Sequence, residues 1–193
     1  RDFGDQYIAL EMWNETSAQK DGTIRRETCF PSKAVDLILS GPHLFEARPF
    51  NKTPRSVCTN SSQYDCIDLN QIPNNYLPRT NYKTNISKSE YLERVPRVPW
   101  GEKSPVTDFY RVCYRKMLGQ PNERTLVSSL FPPGVGHVNS IISIVFKELN
   151  QTLDISTLLS SICADFFVKC TGKSNLYSGD LAKAFAAGAD AAM

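Results

Sequence analysis

VTDFYRVCYRKMLGQPNERTLVSSLFPPGVGHVNSIISIVF, residues 106–146, followed after a short link by LLSSICADFFVKCTGKSNL, residues 158–176, is the stretch whose reading decides the fold. Along 110–117, Tyr110, Val112 and Tyr114 fall on one side of a strand, and Arg111, Cys113 and Arg115 fall on the other. Phe109, Val112, Cys113 and Met117 also fit helical spacing, but the strand is favoured. LGQPNER turns the chain, TLVSSLF returns as a β-branched strand, PPGVG breaks it, and NSIISIVF is a further apolar strand. Asp154 or Ser156 then caps a helix with Ile155, Leu158, Leu159, Ile162 and Phe166 along one face. Burying those side chains contributes on the order of 8–12 kcal/mol before entropy is subtracted.

Outward from this core the signals weaken. QYIALEMW at 6–13 reads as a strand, the Asp-Gly of KDGT at 20–23 as a hairpin turn, and IRRET as the returning strand. Pro31 suits the first turn of a helix over SKAVDLILS, stopped at Gly41. From Gly41 to Trp100, prolines 49, 54, 73, 78, 96 and 99 punctuate a polar segment of loops and short strands. A segment so long and irregular usually serves function or a partner. The Ala-rich tail predicts a second helix, interrupted at Gly188. There are no internal repeats. The expected organisation is a single domain over 1–193: a loop-rich half at 1–100, a sheet-and-helix core at 101–176, and a tail at 177–193. The expected class is α/β (α+β), a curved mixed sheet with a packed C-terminal helix and long irregular loops.

A chain of 193 residues with 41% hydrophobic and 22% charged residues can bury one core. The net charge of +2 and pI near 8.2 are too mild to prove nucleic-acid binding, so any basic surface must be concentrated on one face. No apolar run approaches the ~18 residues of a membrane span, and RDFGDQYIALEMW lacks the apolar core of a signal peptide. Arg1 in place of an initiator Met suggests a piece of something longer. Five Asn-x-Ser/Thr sequons (Asn14, Asn51, Asn60, Asn85, Asn150) and an even cysteine count fit a secreted domain in principle. Against that, Cys113, Cys163 and Cys170 lie in apolar or alternating patterns where free thiols pack as small hydrophobes. With Cys29, Cys58 and Cys66 they are expected to be reduced and mostly buried, in a cytoplasmic protein.

Catalytic and metal signatures are missing. Gly172-Lys173-Ser174 has Phe167 where a phosphate loop needs its first glycine, and it follows a helix. There is no Cys-x-x-Cys, and His43 and His137 stand alone, so zinc is not expected. Asp65, Asp68 and Asp108 do not assemble into a magnesium nuclease site. A stand-alone enzyme would have to use His137 or Cys113, and no elbow motif frames a nucleophile. What recurs is basic residues beside stacking or amide side chains: Arg79 to Lys83 with Asn81 and Tyr82 between, Tyr110-Arg111, Tyr114-Arg115-Lys116, and Asn122-Glu123-Arg124. Arg reads guanine, Asn reads adenine and Lys holds phosphate. Lys20, Arg25 and Arg26 on the N-terminal hairpin, His137, Asn139, Lys169 and Lys173 complete the expected DNA-contacting set. Arg111, Arg115 and Arg124 are expected on one surface.

These segments, together with WNETSAQKDGTIRRET, LSGPHLF, KTPRSVC and LPRTNY, resemble the target-recognition region of bacterial adenine-N6 DNA methyltransferases of type IIG restriction-modification and related phage-defence systems. The resemblance covers most of residues 7–181. It implies a module that chooses the double-stranded DNA sequence which a methyltransferase domain of the same parent modifies. S-adenosylmethionine, and Mg2+ where the parent also cleaves, would belong to that parent. This chain has neither the Asn-Pro-Pro-Tyr-type motif nor the Gly-rich cofactor site. SGDLAKAFAAGADAAM departs from the pattern and is superficially similar to a phosphate-binding βα segment of inosine-monophosphate-dehydrogenase-like barrels. The rival expectation is a protein-interaction module of a defence complex that makes no base contacts.

Overall fold

The computed structural model describes residues 4–45 and 49–183. In chain order its elements are β1 (Tyr7–Leu10), α1 (Glu15–Lys20), β2 (Ile24–Cys29), β3 (Ile38–Leu39), β4 (Lys52–Pro54), β5 (Tyr64–Cys66), β6 (Thr80–Thr84) and α2 (Lys88–Arg94). The second half supplies β7 (Arg111–Arg115), β8 (Ser128–Phe131), β9 (Gly136–His137), β10 (Ile141–Phe146), α3 (Leu149–Ser160) and α4 (Ile162–Cys170). The fold is α+β.

The central sheet runs β1-β10-β7-β8 and is antiparallel throughout, rather than mixed. Its strands from the second half are those that the alternation and the Pro-Gly breaks predict. Tyr7 pairs with Phe146, Ile141 with Arg115, and Arg111 with Phe131. One face, carrying Val112, Tyr114, Ile142 and Ile144, packs on Leu159 of α3 and Ala164 and Val168 of α4. The other, carrying Cys113 and Ile141, packs with Phe131 on Leu37, Leu39, Leu44 and Val135. Both faces are covered, so every residue of β10 is buried. A third cluster around Trp13, Ile24, Tyr82 and Tyr91 fills the space beside the β2–β6 pair. There Trp13 Nε1 donates to the Tyr91 hydroxyl at 2.9 Å.

Several local expectations are corrected. Residues 15–20 form a helix, because the Asn14 side chain accepts the N–H groups of Thr16 and Ser17 at 3.1 and 3.0 Å and so caps it. The Asp-Gly turn exists, with Gly22 at φ +76°, but it joins α1 to β2, whose partner is β6 and not β1. SKAVDLILS is a 3-10 turn and β3, not an α-helix. Its Leu37, Ile38 and Leu39 are all buried, and β3 pairs in parallel with β9.

The predicted single helix over 154–166 breaks at Ser161, whose backbone is extended and whose Oγ caps α4 by accepting from Ala164 N at 3.1 Å. The break rotates the expected face apart. Leu159 is fully buried and Ile155 partly so, whereas Leu158, Ile162 and Phe166 are 41%, 76% and 60% exposed. The stretch at 41–100 is more ordered than expected, holding the β4–β5 hairpin, β6 and the Ser87-capped α2. A helix starts at Ser178. The predicted interruption at Gly188 lies outside the described residues. All six cysteines are free thiols, but only Cys58 and Cys113 are buried, and Cys66, Cys163 and Cys170 are exposed. No helix among the described residues is long and apolar enough to cross a membrane.

Candidate nucleic-acid interface

The strand pair β2–β6, the helix α1, the Ser40–His43 turn and the end of β7 enclose a polar cleft of about 200 Å³. Register places Arg26 opposite Tyr82, and its guanidinium lies over the Tyr82 ring, 5.8 Å from the centroid. The same Arg26 is 3.8 Å from Glu15 Oε1, and the Tyr82 hydroxyl donates to that carboxylate. Asn81 faces its neighbours correctly with its amide donating to the Cys58 carbonyl at 2.9 Å and accepting from Arg26 Nε at 3.2 Å. Across the cleft, Ser40 Oγ and the Tyr64 hydroxyl share a hydrogen bond of 3.0 Å, and Gly41 N donates to Ser140 Oγ at 2.8 Å. The His43 ring anchors the turn through Arg79 O at 2.9 Å. Burial pushes the Tyr64 hydroxyl up to about 12, so it stays protonated and available as a donor.

Arg115 is the open group of this cleft. It is half-buried, and burial lowers its pKa with no carboxylate acting against the shift. It forms no ion pair among the described residues, unlike Arg26. A partly desolvated guanidinium without a counter-charge is unfavourable by itself and attracts an anion.

The structure thus brings together Arg26, Asn81, Tyr82 and Arg115 of the expected set, with Asn139 close by, its Oδ1 accepting Glu15 N at 3.1 Å. Asn81 and Tyr82, on β6, are buried walls of the cleft. Others are corrected. Arg111 shares a face of β7 with Arg115, as predicted, but that face points into the core. Arg111 is fully buried, and Nη2 donates to Val135 O. His137 is also sealed, bonded to Ser143 Oγ at 2.9 Å. Burial first, and then Arg111, lower its pKa to about 3. The buried Cys113 thiol is pushed up to about 12. Neither group can reach a substrate from this position, so the geometry lends no support to an enzyme built on His137 or Cys113.

Arg124 lies on the helix side of the sheet, paired with Asp165. Arg25 and Lys83 flank Glu27 at 2.7 and 3.7 Å, Lys116 binds Glu11, and Lys173 binds Asp180. Lys169 donates to Asn122 O at 3.4 Å, Arg79 lies over the exposed Phe30 ring, and Lys20 is exposed at the end of α1. These cations are spread over the surface instead of joining the cleft. Glu15, Ser40, Tyr64 and Ser140 were not legible as site residues. They carry no motif, and only the tertiary pairing gathers them.

A second cavity of about 500 Å³ is lined by Val35, Tyr91, Leu92 and Pro133, with Asp36, Asp108 and Lys88. Its two carboxylates against one lysine give it the wrong sign for a polyanion. No protein-family model, curated protein or solved structure matches the chain. The cleft is therefore read from its own chemistry.

Proposed function

We propose that this chain is a sequence-reading module for double-stranded DNA and that the polar cleft contacts the duplex. One observation carries this: Arg26, Asn81 and Arg115, from three separate segments, converge on one concavity. There Arg115 retains a positive charge that no described carboxylate neutralises. Guanidinium and amide groups are the side chains that read base edges and grip phosphate. The resemblance to methyltransferase target-recognition regions points the same way. In this reading, methyl transfer and its S-adenosylmethionine belong to a joined catalytic domain.

Arg26 and Arg115 in the cleft, with Lys52 beside Arg115 on the Phe45 ring, set the scale. About three phosphate contacts predict a loss of roughly 40-fold in affinity between 50 and 200 mM salt, against the roughly thousandfold loss that six would give. Titration of fluorescent duplexes across that range tests it. Arg115→Gln should weaken binding and flatten the salt slope by about one. An absence of duplex binding at 50 mM salt would end the reading.

A second reading, a protein-interaction module, has its own observation. Ile162 and Phe166 stand one turn apart on α4, 76% and 60% exposed. Binding of a protein partner that depends on Ile162 and is indifferent to salt would favour it.

A further inference from the structure

Two cations meet on one aromatic ring. Lys52 Nζ lies 3.3 Å from the centroid of Phe45, and the Arg115 guanidinium carbon lies 5.7 Å from the same centroid. Several basic groups elsewhere are neutralised in pairs, such as Arg55 with Asp65 and Arg94 with Asp21 and Glu90. Lys52 and Arg115 have no such partner among the described residues, although their mutual repulsion calls for one. The ring quadrupole attracts each cation but supplies no net negative charge. An anion held by both would supply that charge.

We propose that Lys52, Arg115 and Phe45 form a phosphate subsite that holds one phosphodiester of the bound nucleic acid. This rests on the reading of the adjoining cleft as the DNA-facing surface. Arg115 belongs to both places: it lines the cleft and stacks on Phe45. A phosphodiester keeps its charge across the working pH range. Its two free oxygens sit on a tetrahedral centre and can meet cations arriving from different directions. The guanidinium donates to one of these oxygens and the compact ammonium to the other. A carboxylate, planar itself, suits a single guanidinium better. The phosphate would anchor the strand at Phe45 and leave the neighbouring nucleotide at the mouth of the cleft beside Arg26.

The subsite also joins two parts of the fold. Lys52 stands on the β4–β5 hairpin and Arg115 at the end of β7. A bound anion should therefore slow hydrogen exchange in the hairpin as well as shift its resonances.

The test uses the chain with Lys52→Gln, Arg115→Gln, the double variant, and Lys52→Arg as the conservative control. Two ligands are titrated: a 20-base-pair duplex at 50, 100 and 200 mM salt, and tripolyphosphate followed by amide NMR. Each single neutral variant should lower the salt slope by about one, and the double variant by about two, while Lys52→Arg keeps the wild-type slope. Tripolyphosphate should shift the amides of residues 52, 53 and 113–115 in the wild type and leave them unmoved in the double variant. If the double variant binds duplex with an unchanged slope, the subsite is wrong and the DNA reading survives. If tripolyphosphate binds through these residues and no duplex binds, the anion subsite survives and nucleic acid is not its source. If neither ligand depends on Lys52 or Arg115, the proposal is overturned.

Discussion

Arg124 and Asp165 form an ion pair, Nε to Oδ2 at 3.1 Å, that fastens the connection between β7 and β8 to the first turn of α4. Asp165 is 6% exposed, and its other oxygen accepts the backbone N–H groups of Thr125 and Leu126 at 2.8 and 2.6 Å. Arg124 donates in turn to the carbonyls of Ser160 and Ser161, at the end of α3. Asp165→Ala strands the guanidinium and two buried N–H groups, and should cost about 3–5 kcal/mol in urea unfolding. Arg124→Gln leaves the carboxylate its two backbone donors and should cost only about 1–2 kcal/mol. Duplex affinity of the folded Arg124→Gln variant should equal that of the wild type.

His137 makes the protein acid-sensitive. Its folded pKa, near 3, lies below the unfolded value of 6.5, so between those limits the unfolded chain binds a proton that the native one refuses. Stability is complete above about pH 6.5 and falls as the pH drops towards 3, by up to ~1.4 kcal/mol per unit from this group. His43, whose pKa burial also lowers, adds a contribution of the same sign. Urea midpoints at pH 7.5 and 5.0 should differ clearly in the wild type and less in His137→Gln, which can keep a hydrogen bond to Ser143.

Arg111 is a buried cation with a single hydrogen bond, its Nε and Nη1 having no partner among the described residues. Arg111→Met keeps most of the length and removes the charge. It should leave stability unchanged or raise it by about 1 kcal/mol, because an apolar replacement for a poorly compensated buried charge avoids the desolvation cost. Thermal unfolding measures this. A drop of more than about 2 kcal/mol would mean that the guanidinium is better satisfied than its contacts indicate.

Thiol accessibility follows burial. Under native conditions Cys66, Cys163 and Cys170 should react quickly with an aromatic disulfide reagent, Cys29 more slowly, and Cys58 and Cys113 only on unfolding. Mass mapping of the labelled peptides gives the order.

The central strands were legible because a period of two over 110–115 and hard breaks at Pro132 and Pro133 are local signals. The fate of Arg111 was not. Alternation assigns it a face, and only the parallel β3–β9 pair, drawn from residues almost a hundred positions apart, turns that face into core. The break at Ser161 was hidden because Leu158, Leu159 and Ile162 continue a helical period through it. Ser160-Ser161 is equally a cap signal. Basic and amide residues were correctly suspected of binding as types, but their grouping depends on which carboxylate each one meets. Glu27, Glu11 and Asp180 withdrew Arg25, Lys83, Lys116 and Lys173 from any shared surface. Lys52 and Phe45 went unnoticed inside the proline-punctuated segment, where no period survives to point a side chain.

The pairing of β1 with β10 governs when this protein can fold. Tyr7 finds its strand partner only at Phe146, so during synthesis at ~5–20 residues per second the first strand waits on the order of ten seconds for its neighbour. Over that interval Ile8 and Leu10 have no native strand to pair with. Even in the finished sheet β1 remains an edge. Nucleation therefore belongs to the local antiparallel unit in which β7 pairs with both β8 and β10, and the N-terminal strand docks last. A chain cut before Ile141 would have no site for β1 and would be expected to aggregate through it.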